Sequence, residues 1–130
     1  MTLGLHPTNL ANKWLDMLSG TAFTAPTNTY VKLHLGDPGA AATSPSTVTT
    51  RVVLAWSAAS AGSKAIVATF PSWTNWAGTS GEVLSHISGW DAVTAGNPLF
   101  SAVLTTAKTV TTGDTFTLSS LTFGLGTLMA

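Results

Sequence analysis

Cysteine is absent from this chain, so neither a disulfide framework nor a thiolate metal site can form. The fold must stand on packing, or on contacts with neighbours. Charge is scarce too. Only 8% of residues are charged, against about 25% in an ordinary soluble domain. The five cations, Lys13, Lys32, Arg51, Lys64 and Lys108, are scattered singly and balance five acids to a formal net charge of zero. Nucleic-acid binding needs a basic stripe that neutralises phosphates, and none is present. No apolar run approaches the roughly 20 residues that span a bilayer, so membrane insertion is not expected. The N-terminus lacks the positive and apolar regions of a signal peptide. A monomer with so little charge lacks colloidal repulsion. The simplest resolution is that partners cover much of its surface.

What is present points to a packed β-protein. The 130 residues are 45% hydrophobic and include five tryptophans. That argues against disorder and fits one domain over 1–130 with a real core. The pattern predicts one helix, over about 8–19. Thr8 after Pro7 suits an N-cap, and Leu10, Trp14, Met17 and Leu18 recur at helical spacing. Gly20 supplies the stop. Trp14 is expected to anchor this helix on a sheet.

Beyond the Pro26 linker the period changes to two. Tyr30 to Leu35 alternates, with Val31, Leu33 and Leu35 on one face and Tyr30, Lys32 and His34 on the other. Gly36-Asp37-Pro38-Gly39 ends the strand as a turn, with Pro38-Gly39 suited to the centre of type II. Further strands are predicted over 51–56, 63–70, 82–91 and 99–104, with a short or edge segment at Trp73 to Trp76. A hairpin is expected around Thr112-Gly113-Asp114, joining 108–111 to 115–118. The parity of the apolar residues then switches between Leu118 and Leu121, which predicts a bulge or corner at Ser119-Ser120. Seven to nine short strands with regular turn signals imply an all-β antiparallel sandwich, jelly-roll-like, with one short N-terminal helix.

Reactive groups are few. Three of the five acids sit beside Gly or Pro, where an Asp bonds its local backbone. His34 and His86 lie on predicted strands as possible neighbours, but no ligand spacing such as His-Glu-x-x-His is present. Ser80, in Gly78-Thr79-Ser80-Gly81, does not form a nucleophile elbow. Gly36-x-x-Gly39 contains Asp and Pro and precedes no helix, so it fails as a phosphate cradle. No catalytic, cofactor or metal site is therefore expected. The candidate residues that remain are the turn Gly36, Asp37, Pro38 and Gly39, the helix anchor Trp14, and three interface or surface aromatics, Trp73, Trp76 and Trp90. Of these, Trp73 and Trp76 in their Thr/Ser/Asn-rich loop are the best candidates for a sugar-stacking platform, with core or interface packing as the alternative.

The order of segments resembles a known family. The helix is followed by Tyr30-Val31-Lys32-Leu33-His34-Leu35-Gly36-Asp37-Pro38-Gly39, a Thr-rich loop and Arg51. Then come Trp73-Thr74-Asn75-Trp76, His86-Ile87-Ser88-Gly89-Trp90-Asp91 and Thr112-Gly113-Asp114-Thr115-Phe116. Together they resemble the small virion proteins of tailed phages of actinobacteria, the minor tail or tail-fibre proteins. The resemblance implies a non-enzymatic virion component assembled in the bacterial cytoplasm. Its implied partners are copies of itself, as a trimer or ring, and other virion proteins. A capsid decoration or minor capsid protein is the alternative position. A module for host-surface glycan is a third reading, and would need Trp73 and Trp76 exposed.

Overall fold

The computed structural model describes residues 4–125. Among the described residues, nine strands form a five-stranded antiparallel sheet and two two-stranded ribbons. The strands are β1 (Gly4–Leu5), β2 (Thr29–His34), β3 (Val52–Leu54), β4 (Ser63–Ala65), β5 (Ser72–Trp73), β6 (Glu82–Trp90), β7 (Pro98–Val110), β8 (Phe116–Thr117) and β9 (Thr122–Gly124). The sheet order is β1-β7-β6-β2-β3, and β4 pairs with β9 as β5 pairs with β8.

Register decides which residues face the core. Val31 pairs with Gly89 and Gly89 with Phe100, while Leu33 pairs with Ile87 and Ile87 with Ala102. These residues share one face of the sheet, and Val31, Leu33, Ile87 and Phe100 are buried on it. Gly89 is required there, because a Cβ would meet the Phe100 ring at 2.1 Å. The ribbons contribute the facing layer through Ile66, Trp73, Phe116 and Leu118, which belong to the same buried cluster. Phe123 of β9 packs edge-on to Phe100 of the sheet, with centroids 4.6 Å apart. The arrangement is sandwich-like, with two short ribbons as its second layer.

The helical segment spans the region predicted for it but is irregular. Its first turn, Pro7–Ala11, is widened, with His6 O accepting from both Leu10 N and Ala11 N. The α-helix α1 (Asn12–Asp16) follows, and a 3₁₀ turn, Met17–Ser19, closes it. The N-cap is His6, whose Nδ1 accepts from Asn9 N, and not Thr8. Gly20 ends the segment at φ +86°, as expected from its lack of a Cβ. Leu10 is buried and Trp14 half-buried, but Met17 and Leu18 face away from the core.

Three strand expectations need correction. The strand predicted over 63–70 ends at Ala65, with Ile66 only bridged to Trp56 and Thr69 at φ +70°. The segments 99–104 and 108–111 are parts of one strand, β7, which accompanies β6 along its length with an irregularity near Leu84/His86. Thr111 to Asp114 is a turn, with Asp114 accepting from Thr111 N. The chain then leaves, so that β8 pairs with β5 and no 108–118 hairpin forms. Ser119-Ser120 is the expected corner, where the chain passes from the β5–β8 ribbon to the β4–β9 ribbon.

Candidate functional site

Two long loops shape opposite ends of the β2 strand. At its C-terminal end the chain turns at Gly36 to Gly39, with Asp37 Oδ1 accepting from Gly39 N at 3.0 Å and Gly39 at φ +57°. It returns beside β2, where Leu35 N donates to Ser44 O and Ser46 N to Leu33 O. This return covers His34, which has no exposed surface. His34 Nδ1 donates to Thr43 O at 2.7 Å, so its Nε2 accepts from Ser88 Oγ, also at 2.7 Å. Trp90 Nε1 donates in turn to Ser88 Oγ. The Thr43 carbonyl requires the proton on Nδ1, and burial lowers the pKa of the ring from its ordinary value, which favours the neutral form.

The loop continues onto a buried carboxylate. Glu82 accepts from Ser46 Oγ through Oε2 and from Thr47 N through Oε1, at 2.9 and 3.0 Å. Ser46 Oγ accepts from Val48 N, so each polar group in the clamp has a partner. His34 and His86 are cross-strand partners, as their strands suggested. No three His, Asp or Glu side chains among the described residues are grouped to hold a metal.

The other end is apolar and open. A groove of about 760 Å³ lies between the helical segment, the linker over 23–29 and the β4–β9 ribbon. That volume falls in the range of about 300–1,000 Å³ for small-molecule sites. Trp14, Phe23, Trp56 and Phe123 line it, with Leu10 and Phe100. Trp56 is held by its Nε1 bond to Thr29 Oγ1 and stands edge-on to Phe123 at 6.1 Å. Lys64 is the one charged residue in the described lining. Beside the groove, Leu15, Met17 and Leu18 are 64%, 50% and 87% exposed. A second hollow of about 420 Å³ shares Phe23, Pro26, Thr27 and Leu99 with it and adds Lys13 and Asp91.

The aromatics singled out from the sequence separate into two kinds. Trp73 and Trp76 are 5% and 1% exposed, so they form no surface platform. Their loop packs beneath the segment over 47–50. Trp73 Nε1 donates to Thr50 O, its ring lies 5.8 Å from Phe116, and Gly78 sits against Thr47 and Val48. The polar residues Thr74, Asn75, Thr79 and Ser80 of that loop are exposed while its two tryptophans turn inward. Trp90 is half-buried on the outer face of the sheet. The Arg51 guanidinium lies 3.5 Å from its ring centroid and Lys32 Nζ 5.8 Å. Arg51 also donates to Ala92 O and Ala95 O, so it ties the β6–β7 turn to β3. Partial burial and the Arg51 charge lower the pKa of Lys32.

Of the three acids beside Gly or Pro, Asp37 and Asp114 bond their local backbone as predicted, whereas Glu82 bonds the distant Ser46 and Thr47. Asp91 accepts from Asn97 N and Nδ2, and Asp114 from Thr111 N and Oγ1, which lowers its pKa. Structural bonding thus occupies these groups. The family model for the podophage GP4 fiber I protein gp80 matches residues 7–125. The chain belongs to that family. No curated protein matches it. Membership of the podophage fibre family makes the chain a phage tail-fibre-like virion component. Among the described residues, no helix is long and apolar enough to cross a membrane. The groove escaped the sequence because its walls come from five separated segments. The one local signal was the cluster of Phe23 and Pro26 in a linker otherwise rich in Thr and Ala.

Proposed function

We propose that this protein is a non-enzymatic structural subunit of a tailed-phage virion, placed at the tail tip or fibres and associated with copies of itself and with other virion proteins. The family match over residues 7–125 carries this reading. Low charge supports it, since a repeated, largely covered subunit needs little surface charge to stay dispersed. The shared buried cluster of sheet and ribbons supports a single domain. An actinobacterial host stays within the proposal on the strength of the sequence resemblance. Immunogold electron microscopy of intact virions, with antibody against this protein, tests the position. Label confined to the tail end is expected. Label spread over the head would replace the fibre reading with a capsid one.

A further inference from the structure

We infer that the aromatic groove is a contact surface between copies of this chain, and that its occupant is the exposed helix end, Leu15 to Leu18, of a second copy. The inference rests on the proposed role as a repeated subunit and names the surface that role would use. Two incomplete features lie side by side. The groove is lined by Trp14, Phe23, Trp56 and Phe123 and has no apolar filling among the described residues. Leu15, Met17 and Leu18 begin one residue after Trp14 and are at least half exposed. A knob and a hole that adjoin on one surface allow reciprocal burial, in which each copy fills the groove of the other.

Charge favours the same occupant. Asp16 lies within the exposed helix end, and Lys64 is the sole charge in the described lining of the groove. Neither side chain has an ion-pair partner among the described residues. Seating Leu15 and Leu18 of one copy in the groove of another brings Asp16 of the first towards Lys64 of the second. A glycan would leave the helix-end leucines uncovered, and an acidic partner would leave Asp16 opposed. A second copy satisfies both features.

The test is sedimentation equilibrium of the full chain over a wide concentration range. Wild type is expected to self-associate reversibly. Leu18→Glu places a charge in an apolar contact and should raise the dissociation constant at least about tenfold. Leu18 is 87% exposed, so the variant should keep the wild-type circular dichroism and melting temperature at monomer concentrations. Asp16→Lys and Lys64→Asp should each weaken association, and the double variant should recover it. A wild type that stays monomeric, an association unchanged by Leu18→Glu, or a double variant no better than the singles would each overturn the inference. The fibre reading would survive these results, because particle labelling tests it separately.

Discussion

The two ends of the sandwich handle loop burial in opposite ways. At the His34 end the loop brings polar groups inside and closes on them. His34, Ser46, Glu82 and Ser88 are all less than 9% exposed and all bonded. At the helix end the loop leaves an aromatic hollow and three exposed apolar side chains. The polar groups of the first end are met within one chain, since His34, Ser46, Glu82 and Ser88 all find partners there, and Trp76 Nε1 beside them is the one buried side-chain donor among the described residues left without one. The second is left open among the described residues. The difference teaches where stability and where assembly should reside. Changes at the closed end should act on folding of the monomer, and changes at the open end mainly on association.

The largest effect should come from the shared core beside the closed end. Trp76 is 1% exposed, and Trp76→Ala should cost about 3–5 kcal/mol in chemical denaturation of the monomer. A loss under about 1 kcal/mol would mean that the loop over 73–78 is not part of the core. Next comes the clamp. Glu82→Ala strands Thr47 N–H and Ser46 Oγ, and should cost about 1–3 kcal/mol by the same measurement. A neutral result would make the carboxylate dispensable and weaken the contrast between the ends. At the turn, Gly39→Val should cost about 1–2 kcal/mol, because φ +57° is strained for a residue with a Cβ. Unchanged thermal stability would show that the turn relaxes without loss.

Acid should also reveal the closed end. Burial depresses the His34 pKa in the folded state below its unfolded value of 6.5. The unfolded chain therefore binds the extra proton first, and the native state gains relative stability as pH rises. That contribution is complete above about pH 6.5. It is lost as pH falls through the folded pKa. Neighbouring Lys32 and His86 oppose protonation further. The melting temperature should fall on acidification below neutrality, and His34→Gln should flatten the dependence. An equal slope in both proteins would remove His34 as the source.

Much of the fold was legible in local pattern. Period-two runs located β2, β3 and β6, and the Asp/Gly/Pro contexts located the turns, because both depend on near neighbours in sequence. Long-range partnership was not legible. Nothing in 108–118 distinguishes a hairpin from a strand that stays with β6 and a segment that leaves for β5. The burial of Trp73 and Trp76 depends on the segment over 47–50 lying above them, some 25 residues away in sequence. The same holds for the groove. Helical spacing placed Met17 and Leu18 on the buried face with Trp14, but the widened first turn and the closing 3₁₀ turn break that register and turn them outward.

The smallest effect should therefore fall on the residue that the sequence offered as the helix anchor. Trp14 is half-buried and lines the groove, with Leu10 beneath it carrying the deeper contact. A fully buried Trp would lose about 3–5 kcal/mol on truncation to Ala. Trp14 keeps one side on the groove, so Trp14→Ala should cost about 1 kcal/mol of monomer stability, in proportion to the smaller area removed from water. Denaturation at dilution below association, repeated at high concentration, separates its two roles. If the helix end of a second copy fills the groove, the variant should lose more at high concentration than at low, since Trp14 then supports both contacts. An equal loss at both concentrations would assign Trp14 to the monomer alone and erase the contrast between the two ends of the molecule at this position.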